Sequence, residues 1–245
     1  MISVRGVSKR FGEKLAVDDV TFEAEPGSIT YLLGPNGAGK TTVMRMIAGL
    51  ARTSSGTISV NGSGLREFRS TLTEIGFGLG AFARNPGHTA EQHLRWQARL
   101  GGLPTSNIAP ALDRVGLDGV TKRPVGKFSY GMLQRLGIAS ALLGDPKTLV
   151  LDEPANGLDI EGIIWLRELL LGLAAEGTCL LVASHNLTEV EITGTRVVIM
   201  GKGRVLSDTS KDELVTAGSG PRPLESAYIE ITQDSVEYAA TGGAR

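Results

Sequence analysis

Gly34-Pro35-Asn36-Gly37-Ala38-Gly39-Lys40-Thr41 follows the spacing G-x-x-x-x-G-K-[ST], a pattern that wraps phosphate oxygens in backbone donors. Phosphate needs several N–H groups on a concave surface. The glycines of this segment let those groups turn inward, and the start of the next helix adds its positive dipole. In such a loop Lys40 carries its ammonium to the β- and γ-phosphates of a nucleoside triphosphate, Thr41 its hydroxyl to Mg²⁺, and Thr42 a further donor to the α- or β-phosphate. A second constellation lies at 149–154, where Leu-Val-Leu runs into Asp152, Glu153 and Pro154. Carboxylates at the C-terminal end of a strand sit where open α/β sheets bind ligands, here beside the phosphate loop of a neighbouring strand. Asp152 is placed to hold Mg²⁺ through water, and Glu153 to orient an attacking water or take its proton. Together the two segments point to hydrolysis of the terminal phosphate rather than to an idle glycine turn and a solvated acidic turn.

Such residues need a strand before each segment and a helix after the loop. Residues 28–33, 148–151, 178–184 and 196–200 are short apolar runs bounded by glycine or charge with helical segments between them, the pattern of a mostly parallel sheet covered by helices. The runs 148–151 and 179–183 do not alternate, which predicts central strands covered on both faces, and a helix is expected from the loop to about residue 50. Residues 2–7, 17–24 and 57–60, the last followed by Asn61-Gly62, predict a small antiparallel lobe. Helical periodicity between 90 and 143, broken at 101–107 and 121–127, predicts a helical subdomain at about 81–143 inserted into a main domain of 1–214. From 215 to 245 the turn-rich 218–223 and the Gly-Gly-Ala-Arg end predict a loose extension with one helix near 224–232.

Composition narrows the classes of function. At 245 residues, with 41% hydrophobic and 21% charged, the chain can bury a full core and is neither disordered nor fibrous. Lys plus Arg (25) balances Asp plus Glu (26), so there is no basic footprint and no nucleic acid is expected as a partner. No apolar stretch approaches the roughly 20 residues of a membrane span, the first ten residues have no signal-peptide core, and Cys179 is the sole cysteine, inside an apolar run. A cytoplasmic protein is expected. His88 and His93 read as ordinary surface histidines.

Residues 128–136, Phe-Ser-Tyr-Gly-Met-Leu-Gln-Arg-Leu, resemble the signature of the ATP-binding cassette family, written L-S-G-G-Q followed by Q-R. Ser129, Gly131, Gln134 and Arg135 match, while Phe128, Tyr130 and Met132 depart. With the glycine loop before it and the acidic strand after it, the resemblance covers about residues 2–214. It implies a phosphate-loop NTPase fold that binds ATP and Mg²⁺, with Phe11 stacked on adenine and His185 at the γ-phosphate. It also implies that Asp159, in Gly157-Leu158-Asp159, reaches toward a second subunit. The residues alone make Ser129 an N-cap for a helix whose apolar positions include Met132, Leu133, Leu136, Ala139, Leu142 and Leu143. If that helix start, with Ser129 and Gly131, faces the γ-phosphate held by another copy, ATP becomes part of a dimer interface and hydrolysis opens it. One position departs with consequence. The family places a glutamine where this chain has Gly80, and Asn85 and Gln92 are the nearby side chains that could replace it.

The resemblance further implies a motor subunit at the cytoplasmic face of a membrane, working with a separately encoded integral membrane permease and with a second copy of itself or a related cassette. Residues 82–100 would carry the groove for the permease. The degenerate signature, 85–90 and 224–229 look most like bacterial exporter cassettes for drugs, antibiotics or peptides. The rival readings are a soluble cassette ATPase acting on DNA or ribosomes, and a phosphate-loop NTPase outside the family. The latter would leave 128–136 and His185 without a role.

Overall fold

The computed structural model describes residues 1–79 and 85–235. Gly80 and the start of the expected groove at 82–84 therefore lie outside the described residues, as does the stretch 236–245. Strands β1 (Ile2–Phe11), β2 (Lys14–Ala24) and β4 (Ser55–Val60) form an antiparallel sheet in the order β2-β1-β4. Strands β3 (Ile29–Leu33), β5 (Ile75–Leu79), β6 (Thr148–Asp152), β7 (Cys179–Ala183), β8 (Arg196–Gly201) and β9 (Arg204–Ser210) form a second sheet in the order β5-β6-β7-β3-β8-β9. All its pairings are parallel except the β8–β9 hairpin at one edge. The expected antiparallel lobe and parallel core are both present. β1 and β2 run farther than expected, because their register shifts absorb the stretches between the apolar runs.

Side-chain alternation explains how one sheet serves two cores. Tyr31, Leu149, Leu151, Val182 and Ile199 point to one face, whereas Leu32, Val150, Leu181, Val198 and Met200 point to the other. The first face is covered by helices α2 (Ala90–Leu100), α3 (Ile108–Arg114), α4 (Tyr130–Leu142) and α5 (Ile160–Ala175). The second is covered by α1 (Lys40–Ile47) and the antiparallel lobe. Cys179 belongs to the second face, buried, with its Sγ 3.3 Å from the carbonyl oxygen of Ala24. Burial pushes its thiol up and keeps it an inert packing group.

Two expectations change. His93 is buried rather than superficial, because a capping box at Thr89 and Gln92 fixes the phase of α2 so that Ala90, His93, Leu94 and Ala98 share its inner face. The C-terminal extension is not loose over its described part. After α6 (Leu187–Thr193) and α7 (Lys211–Ala217), helix α8 (Pro223–Thr232) buries Leu224 and Ala227 in the main core. The Lys202 ammonium also donates to the carbonyl of Asp234. The glycine and proline of 218–223 make the turn between α7 and α8, and that turn chemistry is what read as looseness.

Candidate functional site

Three parallel strands end at one edge of the sheet because Asp152 pairs in register with Ala183, and Ala183 with Leu32. Their ends lead directly into Glu153, into Ser184 and His185, and into Gly34. The acidic strand β6 is expected to neighbour the loop strand β3, but β7 stands between them. Two strand spacings, about 9.5 Å, thus separate the acidic pair from the loop strand. The start of α1 bridges the gap, with the Thr41 hydroxyl donating to Asp152 Oδ2 at 3.4 Å. The intervening strand brings His185, whose Nδ1 lies 2.8 Å from Glu153 Oε2. A carboxylate only accepts, so Nδ1 carries the proton and Nε2 is left facing outward from the pair. Glu153 adopts φ +51°, a region uncommon for a non-glycine residue. Its peptide is held on both sides, by N–H donation to the Ala183 carbonyl at 2.9 Å and by acceptance from Gln134 Nε2 at 3.4 Å.

The loop itself borders a cavity, with the Ala38 N–H donating back to the Pro35 carbonyl at 3.1 Å. Gly34, at φ +147°, passes so close to β8 that a methyl there would lie 2.2 Å from the Met200 carbonyl oxygen. Gly39, at φ +103°, is the N-cap of α1 and meets the Ala16 carbonyl in the same way. Neither position accepts a side chain. Asn36, Gly37, Ala38, Gly39, Lys40, Thr41 and Thr42 line a cleft of about 440 Å³. Lys40 donates to the carbonyls of Gly34 and Pro35 within its own loop. Burial lowers its pKa, against the pull of Glu153 and Asp152. An ammonium drawn partly out of water, with only neutral carbonyls for partners, is a site that fits a phosphate.

Asp152 carries the opposite strain. Burial and the neighbouring Glu153 push its carboxyl above the usual range, with Thr41, Lys40 and Arg45 opposing. The folded chain therefore holds this proton more tightly than the unfolded chain. The resulting stability is present below the ordinary carboxylate range and is lost as pH rises through the raised value. A hydroxyl beside a half-buried carboxylate with a second carboxylate next to it is an oxygen donor set whose negative charge a hard divalent cation such as Mg²⁺ would offset. Asp152→Asn should consequently raise the melting temperature of the nucleotide-free protein at neutral pH by about 1–3 °C while removing Mg²⁺-dependent activity. Calorimetry at neutral pH checks this, and an unchanged or lower midpoint contradicts it.

The remaining expected residues divide. Ser129 caps α4 as expected, its Oγ accepting from Met132 N–H at 3.2 Å, and Asp159 caps α5 by accepting from Gly162 N–H at 2.8 Å. Among the described residues lining the cleft, however, none comes from α4 or from the turn at Asp159, and Phe11, Asp152, Glu153 and His185 are outside that lining too. Phe11 is 54% exposed at the tip of the β1–β2 hairpin, paired opposite Lys14, with the Lys9 ammonium 4.9 Å from its ring centre. The cleft wall is made by Lys14, Leu15 and Ala16 and, unforeseen from sequence, by Lys202 and Gly203. The turn signal Gly201-Lys202-Gly203 was available to find the last two, since it closes the β8–β9 hairpin against the loop through Gly203 N–H and the Ala38 carbonyl. The two side chains near Gly80 are both engaged locally. Gln92 Oε1 accepts from Thr89 N–H, and Asn85 Oδ1 from Gly87 N–H.

Comparison with known proteins adds independent findings. The sequence profile of the ABC transporter family matches residues 17–156. The lantibiotic transport ATP-binding protein SrtF of Streptococcus pyogenes is 36% identical over 213 residues, 86% of this chain and 92% of that protein. The bacitracin transport ATP-binding protein BcrA of Bacillus licheniformis is 40% identical over 220 residues, 87% of this chain and 71% of that protein. A solved ATP-binding subunit of an ABC transporter superposes with a TM-score of 0.85 at 29% identity, covering 95% of this chain and 99% of its own. A bacterial cassette solved as a dimer superposes with a TM-score of 0.77 at 22% identity, covering 86% and 98%, a likeness of fold.

Proposed function

The chain belongs to the ABC transporter family, and from that premise we propose that it is the motor subunit of an exporter, hydrolysing ATP in a dimer that works a separate membrane protein. Family membership makes it an ATP-binding cassette and an ATPase. The assignment of residues is our reading. Backbone donors from Gly34 to Thr42 cradle the triphosphate, and Lys40 exchanges its two carbonyl partners for the β- and γ-phosphates. Thr41 and Asp152 hold Mg²⁺, which when bound neutralises charge on the phosphate oxygens. Glu153 takes the proton of the attacking water. His185, fixed through Nδ1, holds that carboxylate in place and offers Nε2 toward the γ-phosphate. Phe11, exposed beside Lys14 at the mouth of the cleft, stacks on adenine.

The observation that carries the dimeric reading is that Ser129 and Asp159, each capping a helix start, are exposed. Ser129, Gly131 and Asp159 lie outside the lining of their own chain's cleft, as do Asp152, Glu153 and His185, of which Asp152 is joined to the loop by the Thr41 bond. A helix N-terminus capped by serine is an anion site. A second copy or a related cassette, turned face to face, brings it to the triphosphate. Among the described residues no helix is long and apolar enough to cross a membrane. In this reading the transporting channel is another polypeptide, as for a transport ATP-binding protein of the kind that SrtF and BcrA are named, and this chain sits on it from the cytoplasmic side. A cleft of about 760 Å³ along α2, lined by His88, Trp96, Arg99 and Lys122 among others, is a place for that partner to dock. The names of SrtF and BcrA, which refer to lantibiotic and bacitracin transport, favour an antibiotic or peptide as the cargo.

Affinity purification of the tagged chain from detergent-solubilised membranes is expected to recover an integral membrane protein at fixed stoichiometry. Recovery of ribosomes or DNA in its place would move the function to the soluble cassettes.

A further inference from the structure

Tyr130 stands where the resembled signature has glycine, and the residue is 62% exposed at the first turn of α4. One edge of the ring is nevertheless covered. A methyl group on Gly157 would lie 2.1 Å from Tyr130 Cδ1 and 2.2 Å from Cε1, so the ring occupies the space a side chain at 157 would need. Gly157 also has φ +73°, so both its backbone and its surroundings demand glycine. A little farther along α4, Gln134 Nε2 donates to the carbonyls of Pro154 at 3.2 Å and Glu153 at 3.4 Å. The first turns of α4 therefore grip the loop 153–158 near both ends, by hydrogen bonds at the catalytic carboxylate and by ring contact at Gly157. The loop's own bonds, Asn156 N–H to the Glu153 carbonyl and Leu158 N–H to the Ala155 carbonyl, are both 3.2 Å long. They lie at the long limit for such bonds, so α4 adds to the hold that the Ala183 carbonyl has on Glu153 N–H at 2.9 Å.

We propose that Tyr130 is a positioning residue for hydrolysis: seated on Gly157, it fixes the loop that carries Glu153 relative to Ser129 on the same helix. Nucleotide of the partner subunit captured at Ser129 is thereby sensed at this chain's own catalytic carboxylate. The inference rests on the reading in which Ser129 completes the partner's site. It goes beyond that reading in giving one side chain the task of linking the two sites. The contact is made by the ring carbons, so the hydroxyl is dispensable.

The test is steady-state kinetics on the purified complex, or on the dimer if it assembles alone, with Tyr130→Gly, Tyr130→Phe, Gly157→Ala and the double variant Tyr130→Gly/Gly157→Ala. Tyr130→Gly is expected to lower kcat about three- to tenfold with KM for ATP held within about twofold, because binding residues are untouched and only alignment is lost. Tyr130→Phe should match the unaltered protein in both constants. Gly157→Ala should lower kcat as well, and its cost should shrink in the Tyr130→Gly background, where the ring no longer obstructs the methyl. Melting temperatures of the two Tyr130 variants should stay within about 2 °C of the parent, since an exposed ring adds little burial. An unchanged kcat in Tyr130→Gly, or an equal cost of Gly157→Ala in both backgrounds, overturns the proposal while leaving the motor reading intact. Absence of ATP-dependent association in the unaltered protein removes both together.

Discussion

Glu153→Gln turns the chain into a subunit that binds Mg-ATP, pairs, and stops: kcat falls by about 10²–10⁴-fold, the range of a lost general base, while affinity for ATP is kept or improved. The amide has the shape of the carboxylate and can still accept from His185 Nδ1 through its oxygen, so the 2.8 Å link to His185 survives. It cannot take a proton from water. Removing this charge also relieves the site electrostatically, because Glu153 is a cause of the raised Asp152 carboxyl and stands among the anions around Lys40. One negative charge fewer beside a triphosphate favours occupancy. If hydrolysis is what opens the pair, a protein that cannot hydrolyse accumulates as a dimer under saturating Mg-ATP. Light scattering coupled to size exclusion reads the association, and single-turnover phosphate release reads the chemistry. Undiminished release would strip Glu153 of its role as base. A strictly monomeric species with blocked chemistry would keep the base and discard the interface.

The chemistry was easier to read in the sequence than the architecture that delivers it. Gly34 to Thr41 and Asp152-Glu153 announce themselves because their function constrains residue type at fixed local spacing. The strand order does not. Nothing local to β3 or β6 says that β7 inserts between them, since parallel pairing is decided by crossovers through whole helices. Edge strands were harder still. β5 carries two glycines in five residues, and β9 alternates weakly, so neither has the apolar run that marks β6 and β7. His93 shows the reverse case, in which the signal was present and unused. The Thr89–Gln92 box fixes the face of α2, and once the face is fixed the burial of His93 follows from its spacing to Ala90 and Leu94.

The same distinction explains Lys202 and Gly203. They reach the cleft only because the β8–β9 hairpin folds back on the loop, where Gly203 N–H donates to the Ala38 carbonyl and the Gly203 carbonyl accepts from Asp18 N–H. These contacts span more than 160 positions of sequence, and the Gly201-Lys202-Gly203 turn marks the hairpin without saying which loop it folds onto. What the sequence does encode is the requirement for glycine at 34 and 39, where other backbone already occupies the space of a side chain. The phosphate loop is thus legible as a pattern because tight packing of its backbone against neighbouring strands fixes where glycine must stand.

Lys40→Ala should weaken ATP binding by about 10²-fold or more, with ADP affected less than ATP. Charge-assisted hydrogen bonds are worth about 1.5–3 kcal/mol each, so two phosphates together would cost about 3–6 kcal/mol, or 10²–10⁴ in affinity. The lower end applies, because the ammonium is not idle without nucleotide. It already donates to the Gly34 and Pro35 carbonyls, and those bonds must be given up for phosphate. Against this, burial already lowers its pKa, so much of the desolvation cost is borne by the fold before ligand arrives. That preorganisation is why a solvated cation elsewhere on the surface could not substitute. The ADP contrast follows from reach: an ammonium shared by the β- and γ-phosphates loses both partners' contacts with ATP but only one with ADP. Isothermal titration of the two nucleotides in parallel measures it, with a melting curve of the nucleotide-free variant to show that the fold is kept. Equal ATP affinity before and after the substitution would mean that the loop is not where the triphosphate sits. Equal losses for ATP and ADP would confine Lys40 to the β-phosphate and leave the γ-phosphate to His185 and the helix start of the partner subunit.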